Sequence, residues 1–110
     1  MKQADIYLAD LNPVIGSEQA GKRPVVIISG DTMNTYLKVC IICPISSKMK
    51  NYASCTIISA SKKNGLQSDS EVITFQLRTI SQKRLIKKIG TISASELQTI
   101  FQGLNDILKY

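Results

Sequence analysis

The sequence predicts a mainly β (α+β) domain, a small twisted antiparallel barrel with one helix packed against it at the C-terminus. Two observations carry this prediction. Apolar runs of strand length alternate with turn-rich loops along the first two-thirds of the chain, and the last segment changes to helical spacing. With 110 residues, no internal repeat and no low-complexity linker, the chain is expected to form a single domain over residues 1–110.

The predicted strands are bounded by turn signals. The first, residues 6–11, alternates apolar and polar side chains. Two later runs, 25–29 and 39–45, are continuously apolar and are therefore expected to be buried on both faces. Between them, residues 31–36 can form one short helical turn. Further strands are predicted at residues 55–58, 71–75 and 85–92.

A capping box marks the start of the predicted helix. In the stretch SASE, the side chains of Ser93 and Glu96 can each accept a hydrogen bond from a free backbone N–H of the other residue. The apolar residues that follow recur at helical spacing: Leu97, Ile100, Phe101, Leu104, Ile107 and Leu108. Packing against the sheet is the favoured role of this stripe, and a partner-binding helix is the alternative.

The cysteines favour core packing over metal or redox chemistry. Cys40-x-x-Cys43 has the spacing of half a zinc site, but the chain has no histidine and no second such pair. An offset of three within a strand puts the two thiols on opposite faces. With Cys55, they are expected to be reduced core residues, and neither a metal nor a cofactor is expected.

The chain is basic, with a formal net charge of +6. A basic domain of this size favours a polyanionic partner such as nucleic acid, and a merely solvated positive surface is the alternative. Asp5 and Asp10 interrupt the N-terminus before a signal sequence could form, and the apolar runs 25–28 and 39–43 are too short to span a bilayer. A cytoplasmic protein is therefore expected.

If the strands follow one another as a meander, three polar segments meet at one end of the sheet. These are residues 16–23, 46–52 and 76–79, whereas 30–38 and 59–70 form plain connections at the opposite end. The converging set has a single carboxylate and suits a phosphodiester backbone. Its members are Glu18, Gln19, Lys22, Arg23, Ser46, Ser47, Lys48, Lys50, Gln76 and Arg78.

Arg23 is the candidate anion ligand of this set. Pro24 restricts Arg23 to extended backbone, so its guanidinium projects from a defined position. A planar fork of donors suits phosphate oxygens and can stabilise the charge that develops on them during a reaction. A surface salt bridge to Glu18 or Asp10 is the alternative use of this side chain.

The composition excludes several kinds of chemistry. Without histidine, a two-imidazole ribonuclease is excluded, and the eight acidic residues are scattered singly, which disfavours metal-assisted hydrolysis. No glycine-rich phosphate loop is present. What remains is attack by the RNA's own 2′-hydroxyl on the adjacent phosphorus, which requires an aligned phosphate, charge neutralisation and a modest proton acceptor.

Three sequence motifs cover nearly the whole chain. They are DIYLADLNPVIGSEQAGKRPVVIIS at residues 5–29, ICPISSKMKNY at 42–52 and QLRTISQKRLIKKIGTIS at 76–93. Together they resemble the MazF/PemK family of toxin endoribonucleases from bacterial toxin–antitoxin pairs, and GSEQxGxRPVV is the most specific part. The resemblance implies a barrel of the MazF/PemK/CcdB type, a homodimer, metal-independent cleavage of single-stranded mRNA, and neutralisation by an antitoxin with an acidic, extended tail.

The resemblance also implies a catalytic pair. The arginine of the RPVV motif corresponds to Arg23, and the threonine at the end of the central strand corresponds to Ser46. The hydroxyl is kept and the methyl is lost, so the chemistry is expected to persist with a less constrained rotamer. The acidic residue that usually precedes the late-strand glutamine is Phe75 here, which weakens activity or shifts sequence preference. A buried Phe75 that packs the barrel is the alternative.

The expected mechanism gives each residue a role. Arg23 clamps the scissile phosphate and stabilises the pentacovalent transition state, while Ser46 hydrogen-bonds a non-bridging or leaving oxygen. Glu18 is a candidate base for the 2′-hydroxyl or a base-edge contact. The products are a 2′,3′-cyclic phosphate and a 5′-hydroxyl. The other expected RNA-binding residues are Gln19, Lys22, Ser47, Lys48, Gln76 and Arg78.

Two other functions fit the sequence less well. A non-catalytic RNA-binding or antitoxin-binding barrel is favoured by Phe75, whereas retention of Arg23 and Ser46 favours the enzyme. The gyrase-inhibiting toxin that shares this barrel acts through C-terminal residues that include a tryptophan. This chain has no tryptophan and ends DILKY.

Overall fold

The computed structural model describes residues 1–12 and 21–109 of the chain. The elements are β1 (Asp5–Asp10), β2 (Lys22–Ile27), α1 (Asp31–Tyr36), β3 (Val39–Ser46), β4 (Thr56–Ile58), β5 (Ser70–Val72), β6 (Arg78–Ser81), β7 (Leu85–Thr91) and α2 (Ala94–Lys109). A short 3₁₀ turn, Thr74–Gln76, ends one residue before β6. A second, Gln82–Arg84, leads directly into β7. The predicted mainly β class with a C-terminal helix is confirmed.

All seven strands belong to one antiparallel sheet. Six of them follow the order β4-β5-β3-β2-β1-β7, and β6 pairs with β3 outside this path. β3 has two partners along the edge that faces away from β2. Its end pairs with β5, Ser46 opposite Glu71, and its first half, residues 39–42, pairs with β6. The sheet is not closed, because within the described ranges the path ends at β4 and at β7.

The predicted meander is wrong between β3 and β4, because β5 lies between them. Every residue of β5 is buried, whereas the middle residue of β4, Ile57, is exposed. A strand buried on both faces belongs inside the sheet, and a strand with one exposed face suits its edge. The strand predicted at 71–75 is also shorter than expected, since the chain turns at Thr74–Gln76 and then enters β6, which was not predicted.

Each face of the sheet carries its own apolar cluster. One cluster packs against α2 through the buried Ile100 and Leu104 and includes Cys43. The other, on the opposite face, includes Ile42 and Cys40. The two cysteines are thus buried on opposite faces, as their spacing predicts, and both are free thiols.

The capping box of α2 forms as predicted. The Ser93 N–H donates to Glu96 Oε1 at 2.8 Å, and the Glu96 N–H donates to Ser93 Oγ at 3.1 Å. Further along, α2 lies so close to the loop after β3 that a Cβ on Gly103 would sit 2.1 Å from the Ser54 carbonyl oxygen. The helix therefore packs directly against the backbone of that loop. No helix in the described part of the chain is long and apolar enough to cross a membrane.

Candidate functional site

Strand pairing brings Arg23 and Ser46 to the same place. In the register of β2 with β3, Val25 lies opposite Pro44, and continuing that register by two residues puts Arg23 opposite Ser46. Arg23 is the second residue of β2, and Ser46 is the last residue of β3. The prediction that these two residues share one end of the sheet is therefore matched by their positions in the fold.

A cavity of about 340 Å³ opens at this end of the sheet. It contains three cationic side chains, and none of the lining residues that the structure describes carries a carboxylate. The lining residues are Arg23, Ser46, Lys48, Lys50, Tyr52, Ile73, Phe75 and Gln76. Four of the predicted site residues meet here, namely Arg23, Ser46, Lys48 and Gln76. We call this space the cationic cavity.

Ser46 is only 5% exposed, and its hydroxyl already accepts one hydrogen bond. The Lys48 N–H donates to Ser46 Oγ at 3.1 Å, which turns the chain at the start of the loop. Because a hydroxyl carries one proton besides its acceptor lone pairs, Ser46 can still donate to an anion in the cationic cavity. This is the role that the sequence predicts for it.

A residue that the sequence analysis missed shapes the loop after Ser46. Glu71 is fully buried, and its carboxylate accepts three backbone N–H bonds. Lys50 and Asn51 donate to Oε1 at 2.8 and 3.1 Å, and Tyr52 donates to Oε2 at 2.8 Å. Asn51 has a φ of 57°, and successive N–H groups around such a residue form a concave anion-binding nest. Here the anion in the nest is the Glu71 carboxylate of the protein itself. A lone glutamate within an apolar strand pattern is the signal that could have drawn attention to it.

Tyr52 and Phe75 form an aromatic pair at the rim of the cavity. Their ring centroids are 5.0 Å apart, and the ring planes meet at 89°. Tyr52 is 44% exposed and Phe75 is 49% exposed. The alternative of a buried Phe75 that packs the barrel is therefore wrong. Phe75 is exposed because it lies on the 3₁₀ turn and not on a strand.

A second cavity of about 500 Å³ also borders Arg23 and contains the predicted residues Lys22 and Ser47, together with Lys87. Residues 65–68 and Ser70 contribute to its lining. The connection 59–70, expected at the far end of the sheet, thus returns to the Arg23 end, because β5 begins beside Ser46.

Arg78 does not line either cavity. It pairs with Ile42 in the middle of β3, and its Nη1 atom is buried with no hydrogen-bond partner among the described atoms. Glu18 and Gln19 lie outside the described residues. No group of three histidine, cysteine or acidic side chains suited to a metal ion occurs within residues 1–12 and 21–109. Metal independence stays a prediction.

Burial changes the chemistry of two of the thiols. Desolvation raises the pKa of Cys40 from 9.0 to about 11, although the positive N-terminus opposes the shift. Desolvation, together with the neighbouring Cys55, raises the pKa of Cys43 to about 12. At neutral pH both thiols are protonated, which agrees with the predicted role in the core.

Comparison with known proteins identifies solved structures with a similar fold and a family to which the chain belongs. The chain is similar to MazF from Deinococcus radiodurans (TM-score 0.87, 21% identity, covering 100% of this chain and 97% of that one). It is also similar to the Mycobacterium tuberculosis toxin MazF-mt6 (TM-score 0.80, 22% identity, 94% and 95% covered). A third similar structure is a MazE-MazF complex from Deinococcus radiodurans (TM-score 0.79, 17% identity, 99% and 95% covered). A family model described as PemK-like, MazF-like toxin of type II toxin-antitoxin system matches residues 2–108, and the chain therefore belongs to this family.

Proposed function

We propose that the protein is the toxin of a toxin–antitoxin pair and that it cleaves single-stranded mRNA. Toxins of this family are generally RNA-cleaving endoribonucleases. The observation that carries the proposal is the cationic cavity, in which Arg23 and Ser46 lie together with two lysines and with no carboxylate among the described lining residues. Such a site attracts a polyanion and offers directed donors to one phosphate.

The proposed reaction is attack by the RNA 2′-hydroxyl on the adjacent phosphorus. The bond from the 2′-oxygen to phosphorus forms as the bond to the 5′-oxygen breaks, which leaves a 2′,3′-cyclic phosphate and a 5′-hydroxyl. Arg23 neutralises the charge that grows on the non-bridging oxygens, and Ser46 donates to a non-bridging or leaving oxygen. Lys48 and Gln76 hold the strand so that attack and departure are in line.

The mechanism also needs an acceptor for the proton of the 2′-hydroxyl. Glu71, although it lies directly opposite Ser46 in the pairing of β3 with β5, is fully buried and already accepts three N–H bonds. Its two oxygens are therefore committed to the loop and unsuited to receive the 2′-hydroxyl proton. Glu18, outside the described residues, stays our candidate for that role or for a contact to a base edge.

The partners follow from the same charge pattern. The cationic cavity suits the acidic, extended tail that we expect of the cognate antitoxin, which would then compete with RNA for Arg23 and the lysines. The similar structures include a MazE-MazF complex, which supports a partner of this kind. We further propose a cytoplasmic homodimer, in keeping with an mRNA substrate.

The test is digestion of a long RNA of mixed sequence in EDTA, with the 5′ ends mapped. Wild-type protein should cut at a short recurring motif, and Arg23→Ala should lose at least 100-fold in rate, as expected for removal of a donor to developing charge. Arg23→Lys keeps the charge without the planar fork and should recover only part of the rate. A substrate with hydrogen in place of the scissile 2′-hydroxyl should bind and stay intact. Intact RNA with folded wild-type protein would overturn the enzyme and favour a non-catalytic binding barrel.

A further inference from the structure

The aromatic pair at the rim of the cationic cavity has no role in the phosphate chemistry. Tyr52 and Phe75 expose nearly half of their surfaces while lining the same cavity as Arg23 and Ser46. We propose that these two rings form a binding site for one unpaired base of the RNA, next to the phosphate held by Arg23. This inference rests on the proposed function and extends it from the backbone to a base.

The geometry of the pair suits a planar ligand. Because the two rings are perpendicular with centroids 5.0 Å apart, they form the two walls of a corner. A base that stacks on one ring presents its edge to the other. Unpaired bases are commonly recognised by stacking on aromatic side chains, and such stacking tolerates any base because each has a π face.

The surrounding charge indicates what the ligand carries besides a flat apolar group. Arg23, Lys48 and Lys50 line the same cavity, so its occupant must combine a planar ring with a nearby anion. A nucleotide unit has both features, with a base and its phosphate in adjacent positions. An acidic peptide supplies the anion without the ring, which makes a nucleotide the better match.

The backbone on both sides of the corner is held in place without a ligand. The Tyr52 N–H donates to the buried Glu71 carboxylate. On the other side, Thr74 precedes Phe75, is fully buried, and donates from Oγ1 to the Ser54 carbonyl at 3.0 Å. The loop and the 3₁₀ turn are therefore joined to each other. A preorganised site loses less conformational entropy on binding, which favours a real base site over a chance contact of two exposed rings.

The experiment measures binding, so it needs no cleavage. The probes are a single-stranded oligodeoxynucleotide of mixed sequence, which lacks the reacting 2′-hydroxyl, and an abasic strand with the same number of phosphates. Wild-type protein should prefer the base-containing strand roughly 5- to 100-fold at fixed salt, the range expected for stacking of one base. Phe75→Leu and Tyr52→Leu should each remove most of that preference while leaving the affinity for the abasic strand unchanged.

Tyr36 offers a matched control, since it is an aromatic residue that is 81% exposed on α1, before β3, while Ser46 ends that strand. Tyr36→Leu should keep the full preference. A second readout uses the absence of tryptophan from the chain. Phe75→Trp places the only tryptophan of the chain in the corner, and the base-containing strand should quench its selectively excited fluorescence whereas the abasic strand should not.

The outcomes separate this inference from the proposed function. Full base preference in both leucine variants, or a Phe75→Trp signal that responds to an acidic peptide and not to the oligonucleotide, would overturn the base site. A Phe75→Leu variant that cuts RNA as well as the wild-type protein, at the same sites, also overturns the base site while the nuclease stands. Base-dependent binding by a wild-type protein that cuts no RNA overturns the nuclease alone.

Discussion

The loop after β3 and the connection from β4 to β5 are organised by the same device and present different surfaces. Glu71 holds the first through three N–H groups. Asn64, which is 3% exposed, holds the second: it accepts from the N–H groups of Ser61 and Leu66 and donates to the Ser59 carbonyl. In both, a buried polar side chain supplies the partners that the loop backbone lacks.

The difference lies in what each loop supports. The Glu71 loop carries Lys48, Lys50 and Tyr52 into the cationic cavity. The Asn64 connection packs against β7, where a Cβ on Gly65 would sit 1.9 Å from the Ile89 carbonyl oxygen, and Gly65 has a φ of +71°. It contributes only uncharged residues, 65–68 and Ser70, to the second cavity. The comparison teaches that a buried polar anchor makes a loop rigid without making it functional. The side chains that the anchored backbone carries into a cavity decide its role.

Of the changes to the two loops, Glu71→Gln has the largest expected effect. This change keeps the shape of the side chain but turns one acceptor oxygen into an NH₂ group that faces a backbone N–H. The loop should lose its fixed conformation, and RNA cleavage should fall by about tenfold or more, consistent with a cost of roughly 1–3 kcal/mol for an unsatisfied buried group. Amide hydrogen exchange should accelerate at Lys50, Asn51 and Tyr52. Unchanged exchange at these three amides would break the comparison, because Glu71 would then not be the anchor.

The matched change in the other loop is Asn64→Ala. It removes the anchor and leaves two N–H donors without their partner, so the free energy of unfolding should fall by about 1–3 kcal/mol. Cleavage per folded molecule, and the sites cut, should stay the same, because Asn64 lines neither cavity. Thermal unfolding and mapped digestion measure the two effects. Altered cleavage sites would show that the second cavity also contacts RNA.

The smallest expected effect is on the reactivity of Cys55, which reports whether the Glu71 loop opens. Cys55 lies in this loop, and its Sγ is 3.5 Å from Thr74 Oγ1. Alkylation of Cys55 at pH 8 should be faster in Glu71→Gln and unchanged in Asn64→Ala. Cys40 and Cys43 serve as internal controls. Their raised pKa values keep both thiols protonated and unreactive at pH 8, and their reactivity should rise only as the pH approaches 11 to 12. Mass spectrometry of the alkylated sites reports all three. Early reaction of Cys40 or Cys43 would indicate global unfolding and not loop opening.

The same neutral thiols give a pH dependence of known sign. Because their folded pKa values lie above the ordinary value of 9.0, their contribution to stability is complete below about pH 9 and declines as the pH rises toward 11 and 12.

Local patterns in the sequence determined much of this protein. Period-two burial placed Cys40 and Cys43 on opposite faces, the capping box of Ser93 and Glu96 started α2, and the strand pattern brought Arg23 and Ser46 to one end of the sheet. Each of these features depends on residues a few positions apart, so chain geometry alone expresses it.

Only the tertiary structure decided the order of β3, β5 and β4, the exposure of Phe75, the pairing of Arg78 with the middle of β3 and the function of Glu71 as an anchor. These depend on contacts between residues that are far apart in the chain, such as the bonds from Glu71 to a loop about 20 positions earlier. The strand that pairs with β3 is determined by how much surface each strand can bury there. This depends on the whole assembled sheet and not on either strand alone.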